Sequence, residues 1–352
     1  MARPLPDILP IHWPAGLPAP PEQTEAALQR AATLLAEGGL VAIPTETVYG
    51  LAADALDADA VDRIFAAKGR PASNPLIVHV SDAAMARSLA AAWPHAAERI
   101  TSQLWPGPVT VIVPRGERVP TAVTAGGPTV ALRCPGHPLA RRLIEMLGRP
   151  LAAPSANRSR AVSPTTAGHV LEGLGNRVDL ILDGGPCSRG IESTVVDCTT
   201  DPPRILRFGP IDRDDLEAVL GGPVADAVVV TGTTAAAEPA RSPGMLTRHY
   251  APKTPLEVST TASERVASLV QAGKRVAWLT PHTDDPQVRL LAASRDVLVV
   301  PMPAQPAAFA ACLYATLHAV DRRSLDRIVV DSPPATEPWR AVADRLRRAA
   351  TA

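Results

Sequence analysis

The run Lys68-Gly-Arg-Pro-Ala-Ser-Asn-Pro-Leu76 gathers residues able to grip an anion. Lys68 and Arg70 are separated by one glycine and followed at once by proline, so two cations stand where a helix must end. Pro71 pushes Arg70 out of the right-handed helical region, and Gly69 lets the backbone turn or approach a ligand closely. Asn74-Pro75 then opens an apolar run, Leu76-Ile-Val-His-Val80, that reads as a strand. A cationic pair on such a turn, with amide and imidazole groups just beyond it, suits a polyphosphate. The same residues also fit a solvated helix end, where Lys and Arg merely offset the macrodipole.

Other polar turns bear on that choice. Thr45-Glu-Thr47 with Tyr49, Arg133, Ser155-Ala-Asn157 with Ser163, and Glu192-Ser-Thr194 each stand at the end of an expected strand, where open α/β sheets place their ligands. Singly, each has a plain structural explanation. Ser155 or Ser163 suits an N-cap, Thr47 a turn, Arg133 an ion pair, and His79 a satisfied position within a sheet. Together they are expected to converge on one cleft. Familiar nucleotide signatures are missing: there is no GxxxxGK[ST] loop, no GxGxxG after the first strand, and no GxSxG elbow. A nucleotide held here would rely on Lys68 and Arg70 with serine and asparagine groups.

The elements that must position these residues follow from periodicity. Ala27, Leu28, Ala31, Leu34 and Leu35 recur at helical spacing, and Gly38-Gly39 ends that helix. Leu40–Ile43 is a short buried strand, and Ala58–Ala67 a helix that delivers Lys68 and Arg70. Further strands are expected at Leu76–Val80, Val109–Val113, Thr129–Arg133, Leu151–Ala153, Leu180–Leu182, Ser193–Asp197 and Ile205–Arg207, with helices near 83–92, 95–104, 138–147 and 165–174. Their irregular alternation predicts a twisted mixed open sheet with helices packed on it. From Leu256 a second, smaller α/β unit is expected, with strands at 256–258, 276–279, 297–300 and 328–330 and a doubly wound, Rossmann-like arrangement. The expected division is a proline-rich, poorly ordered arm at 1–21, a catalytic domain at 22–210, a linker or lid at 211–255, and the small domain at 256–352.

Bulk properties narrow the class. A chain of 352 residues with 46% hydrophobic and 20% charged residues has room for two cores, and only 3% are aromatic, so aliphatic side chains must fill them. Zero formal net charge argues against a protein dominated by non-specific nucleic-acid binding. Cys134, Cys187, Cys198 and Cys312 form no CxxC pair and no metal-ligand spacing, which fits reduced structural thiols in a cytoplasmic protein. No run of ~20 apolar residues occurs, so no membrane association is expected.

PTETVYGLAADA (44–55), KGRPASNPL (68–76), WPGPVTVIV (105–113), ALRCPGHP (131–138), APSANRSRAVSPTTA (153–167), DGGPCSRGIESTVVD (183–197) and SPGMLTRHYAPKTP (242–255) resemble the threonylcarbamoyl-adenylate synthases in their long form, a YrdC-like catalytic domain followed by a smaller C-terminal domain. The resemblance implies an enzyme joining L-threonine, bicarbonate and ATP into threonylcarbamoyl-AMP with release of pyrophosphate. Its product would pass to the machinery that makes threonylcarbamoyladenosine in tRNA.

The family's catalytic cations fall on Lys68 and Arg70. Its ATP contacts fall on Arg70, Asn74, Thr129, Ser155, Asn157, Ser163, Arg207 and Tyr250, and its threonine contacts on Thr47, His79, Arg133 and Ser193. Mg²⁺ would be held mainly by the ATP phosphates. His249-Tyr250 is the candidate lid. Departures from the family pattern are Arg160, where glycine is usual, Leu246-Thr247, where a more basic or aromatic pair is common, and Ala343, where a polar residue is usual. Two other readings of such a fold are an RNA-binding module, with weak RNA contact on a basic concave surface, and a carbamoyl transferase. Zero net charge weakens the first as a main role, and the lack of zinc-type cysteine pairs weakens the second.

Overall fold

Residues 4–13, 19–226 and 250–350 are described by the structure, a computed structural model, and they divide into two units. The first comprises the described residues up to 226, apart from the short loops 160–162 and 189–191, which group with 250–350 in the second.

The first unit contains β1 (Asp7–Pro10), β2 (Val41–Ile43), β3 (Gly50–Asp54), β4 (Ile77–His79), β5 (Val109–Pro114), β6 (Thr129–Arg133), β7 (Leu151–Ala152), β8 (Leu180–Asp183), β9 (Thr194–Asp197), β10 (Arg204–Arg207) and β11 (Ala225–Asp226). They form one mixed sheet in the order β1-β8-β2-β3-β7-β4-β6-β5-β9-β10-β11. Its helices are α1 (Glu22–Ala36), α2 (Ala58–Lys68), α3 (Ala83–Arg87), α4 (His95–Leu104), α5 (Pro138–Leu147), α6 (Ala167–Leu174) and α7 (Arg213–Leu220). Strand alternation assigns side chains to two cores. Val41, Ile43 and Ala52 pack with Leu28 and Leu35 of α1 and Leu139 and Leu143 of α5. Ala42, Leu51 and Ala53 pack with Val61 and Ile64 of α2, Ile100 of α4 and Val170 of α6. Because both faces of the sheet are covered, its strands read as continuous apolar runs. Each fully buried Leu, Ile or Val contributes ~1.5–3 kcal/mol of transfer free energy.

Two expectations change here. Residues 7–10, expected in a poorly ordered arm, pair in parallel with Leu180–Asp183, and Ile11 is buried. Residues 211–226, expected in the linker, form α7 and β11, which extend the first unit; Leu216 packs in its core. Residues 227–249 of the expected lid, including His249 and Leu246-Thr247, lie outside the described residues, and 250–255 group with the second unit.

The second unit has four parallel strands, β12 (Leu256–Ser259), β13 (Val276–Thr280), β14 (Val297–Pro301) and β15 (Arg327–Asp331), in the order β12-β15-β13-β14. Helices α8 (Ala262–Gln271), α9 (Pro286–Ala292), α10 (Pro306–Asp321) and α11 (Arg340–Ala349) connect and cover them, as the doubly wound reading requires. Tyr250 belongs to this unit. Its buried ring stacks on Tyr314 with centroids 5.7 Å apart, and the Arg345 guanidinium lies 5.1 Å from its centre. Beside it, Ala251 N–H donates to Arg160 O at 3.0 Å, and Arg160 has φ +71°.

Candidate active site

Helix α2 begins at Asp57, whose carboxylate accepts from the N–H groups of Asp59 and Ala60. It ends at Gly69 in the left-handed region (φ +60°), with Arg70 N–H donating back to Phe65 O at 3.0 Å. The buried stripe Val61, Ile64, Phe65 continues to Lys68, so the helix delivers that side chain into the interior instead of to solvent. Lys68 is only 2% exposed. Its Nζ donates to Asn157 O at 2.6 Å and to Ser155 O. Burial, and then the neighbouring Arg70 charge, hold its pKa well below the ordinary lysine value, against the opposing pull of Glu192. Arg70 is buried too; its Nε donates to Asn74 O at 3.2 Å and its Nη2 to Pro75 O at 2.9 Å. The solvated-helix-end reading of this pair is therefore excluded.

The turn between β2 and β3 links the remaining groups. Thr45 Oγ1 donates to Val48 O at 2.7 Å, so at 2.8 Å from Thr47 Oγ1 it acts as acceptor, and Thr47 is the donor of that bond. Tyr49 N–H donates to Pro164 O, and Ala156 N–H donates to Tyr49 O. Gly50 and Ser155 form an antiparallel bridge. These ties bring Thr47, Ser155, Asn157 and Ser163 onto one cluster of turns.

Ser163 Oγ donates to Glu192 Oε1 at 2.6 Å. The next residue, Ser193, is gripped twice by Arg207, which donates through Nε to its carbonyl at 2.9 Å and through Nη2 to its hydroxyl at 3.0 Å. Thr110 Oγ1 lies 2.8 Å from that same hydroxyl. Two residues assigned to different substrates, Ser193 and Arg207, are thus direct neighbours.

Parallel pairing of β4 with β6 sets His79 opposite Arg133. Burial first, then the Arg133 charge, push the His79 pKa down to about 3, so the imidazole is neutral. Arg133 Nη2 lies 2.8 Å from Glu46 Oε1 in a buried ion pair, and its Nε donates to Gly107 O at 3.4 Å. Burial opposes ionisation of Glu46, but Arg133 and the Gly136 peptide outweigh it and hold the carboxyl below its usual range. Both Glu46 oxygens, Arg133 Nη2, His79 Nδ1 and Asn74 Oδ1 are buried and have no hydrogen-bond partner among the described residues. Polar atoms left so inside a protein cost ~1–3 kcal/mol each unless something else meets them.

Thr129 begins β6 and Arg133 ends it, so the two stand ~13 Å apart along the strand. Asn74 lies beyond the start of the neighbouring β4 and so belongs to the Thr129 end. The candidate residues therefore form an extended site, with Asn74 and Thr129 at one end of these strands and His79 with Arg133 at the other. Tyr250 is described above with the second unit. The motif-based assignment did not single out Glu46, Glu192 or Thr110. The first two stood in polar turns noted in the sequence, whereas Thr110 lies inside an apolar strand and gave no signal.

A mixed-sheet α/β scaffold carrying a buried cationic pair and further buried arginines among polar turns, without a phosphate loop or nucleophile elbow, defines an enzyme class that works by positioning and charge neutralisation. Residues 33–209 match the family model Sua5_yciO_yrdC, described as telomere recombination, and residues 211–351 match Sua5_C, described as the threonylcarbamoyl-AMP synthase C-terminal domain. The chain is 42% identical over 328 residues to the threonylcarbamoyl-AMP synthase of Bacillus subtilis, covering 92% of each chain. It is 39% identical over 334 residues to that of Pyrococcus abyssi, covering 92% of this chain and 94% of the other. Among solved structures, P. abyssi Sua5 complexed with L-threonine matches with a TM-score of 0.85 and 37% identity over 97% of both chains. The chain belongs to the threonylcarbamoyl-AMP synthase family.

Proposed function

We propose that this chain condenses L-threonine, bicarbonate and ATP into threonylcarbamoyl-AMP, releasing pyrophosphate, and that the product serves threonylcarbamoyladenosine formation in tRNA. The observation that carries the reading is the buried ammonium of Lys68, hydrogen-bonded to two peptide carbonyls beside Arg70. Carbonyl dipoles orient the cation without cancelling its charge, which leaves it for phosphate oxygens. Asn74, Thr129, Ser155, Asn157, Ser163 and Arg207 are assigned to the nucleotide. Thr47, His79, Arg133 and Ser193 are assigned to the amino acid.

Arg133 suits the threonine carboxylate, since a guanidinium can meet both of its oxygens. In the reaction the ammonium gives up a proton to solvent and the free amine condenses with bicarbonate, losing water, to form a carbamate, whose oxygen attacks the α-phosphorus as pyrophosphate leaves. Lys68 and Arg70 stabilise charge on the transferring group and on the leaving group, so no protein nucleophile is needed. A carbamate decomposes readily in water, which makes exclusion of solvent from the site part of the function. Mg²⁺, when bound, would add charge neutralisation. Among the described residues no group of three or more His, Cys, Asp and Glu could hold it, so phosphate oxygens would supply most of its ligands.

The product is proposed to pass to the tRNA threonylcarbamoyl transferase machinery in the cytoplasm. Among the described residues no helix is long and apolar enough to cross a membrane, and all four cysteines are free. Pyrophosphate release, measured with ATP, Mg²⁺, threonine and bicarbonate and then with each omitted in turn, tests the proposal. Release should require all four components, and release independent of threonine would reject the reading.

A further inference from the structure

Glu46 is a buried carboxylate whose oxygens hold no directed hydrogen bond, and it stands 2.8 Å from the one guanidinium nitrogen of Arg133 that is also unmet. A side chain at Gly136 would come within 3.2 Å of Glu46 Oε1, so glycine there lets the carboxylate lie against the backbone. The two charges are thus fixed side by side, with Arg133 Nε turned to Gly107 O at 3.4 Å and its Nη2 left facing the carboxylate. Side-by-side opposite charges are the complement of an α-amino acid zwitterion, whose carboxylate and ammonium are joined through a single carbon. A site meant only for a carboxylate would need Arg133 alone, and a neutralising Glu46 would weaken it.

Resting on the proposed function, we infer that Glu46 receives the ammonium of the amino-acid substrate while Arg133 receives its carboxylate. Glu46 is then a substrate-positioning residue that selects amino acids over hydroxy acids. Its low pKa suits this role and not that of a general base, because a carboxylate that resists protonation is a poor proton acceptor.

The test compares equilibrium binding of threonine and of 3-hydroxybutyrate, which lacks the amine, to the full chain and to Glu46→Gln and Glu46→Asp. Wild type should prefer threonine by about 10-fold or more, the span of one charge-assisted hydrogen bond. Glu46→Gln should lose most of that preference, with threonine bound more weakly, 3-hydroxybutyrate bound as well as or better than by wild type because Arg133 is no longer neutralised, and a non-hydrolysable ATP analogue unaffected. In turnover the threonine KM should rise by about 10-fold, with kcat changed far less. Glu46→Asp, which keeps the charge, should retain part of the preference and guards against a Gln variant that fails to fold. Equal weakening of both ligands in Glu46→Gln would overturn the inference, since the residue would then act only by orienting Arg133. Wild-type threonine affinity in Glu46→Gln, or an Asp variant no more selective than Gln, would overturn it as well. No threonine binding by the wild type would remove the proposed function together with this inference.

Discussion

The ammonium of Lys68 stands 2.6 Å from the peptide oxygen of Asn157. A cation from the end of α2 is thereby locked to the turn that follows β7, and Ser159 N–H returns a bond to Lys68 O at 2.9 Å. Lys68→Met keeps the length of the side chain and removes its charge. Turnover should fall by at least ~10-fold, or ~1.4 kcal/mol in the barrier, while urea denaturation shows a folded chain that has lost no more than the ~1–3 kcal/mol of an unmet buried carbonyl. Arg70→Ala should lower turnover by a similar factor. A Lys68→Met enzyme with normal rates would show that the ammonium is structural.

Binding of the triphosphate should draw a proton into the site. Burial and Arg70 depress the Lys68 pKa in the empty protein, and a polyanion beside it must raise that value again. Calorimetry over a series from about pH 8 to about pH 10, in buffers of different ionisation enthalpy, should therefore report proton uptake in the window between the free and bound Lys68 pKa values. Lys68→Met should abolish it. Identical heats in all buffers would mean that Lys68 is already fully charged before ATP arrives.

His79 should shape the acid limb of stability. Its folded pKa of about 3 lies below the ordinary 6.5, so below that ordinary value the unfolded chain binds the proton first. Stability from this group is complete above about pH 6.5 and declines by ~1.4 kcal/mol per unit of falling pH until about pH 3. His137, lowered by burial, acts in the same sense. Denaturant midpoints of His79→Gln should fall less steeply than wild type on acidification. An unchanged slope would mean that His79 takes up its proton inside the fold.

Arg160 is exposed and holds φ +71°, a left-handed conformation that costs a non-glycine residue ~1–2 kcal/mol. Arg160→Gly removes that strain at some cost in unfolded-chain entropy. A net gain of ~0.5–1 kcal/mol in the second unit is expected from chemical denaturation. Loss of stability would show that the guanidinium makes a contact worth more than the strain.

Much of the fold could be read along the chain, because both faces of the large sheet are covered and its strands are apolar runs punctuated by Gly and Pro. Lys68 was partly readable as well. It continues the stripe of Val61, Ile64 and Phe65, a position where periodicity expects a core side chain. Glu46 shows where local reading stops, since a carboxylate in a polar turn looks solvated until Arg133, far along the sequence, is folded beside it. The strand Asp7–Pro10 was hidden for the same reason: its flanks are rich in proline and its partner is β8. Asp212, which caps α7 through a reciprocal bond with Asp215, was a local signal that a linker reading of 211–226 passed over.

The anchoring of Lys68 by carbonyls, not by an acid, has a consequence for how a turnover ends. A grip that recognises charge alone does not distinguish the tail of a fresh nucleotide from the fragment just cut away. The departing diphosphate is therefore a competitor from the moment it forms, and sustained flux through this enzyme depends on how quickly its surroundings destroy that fragment.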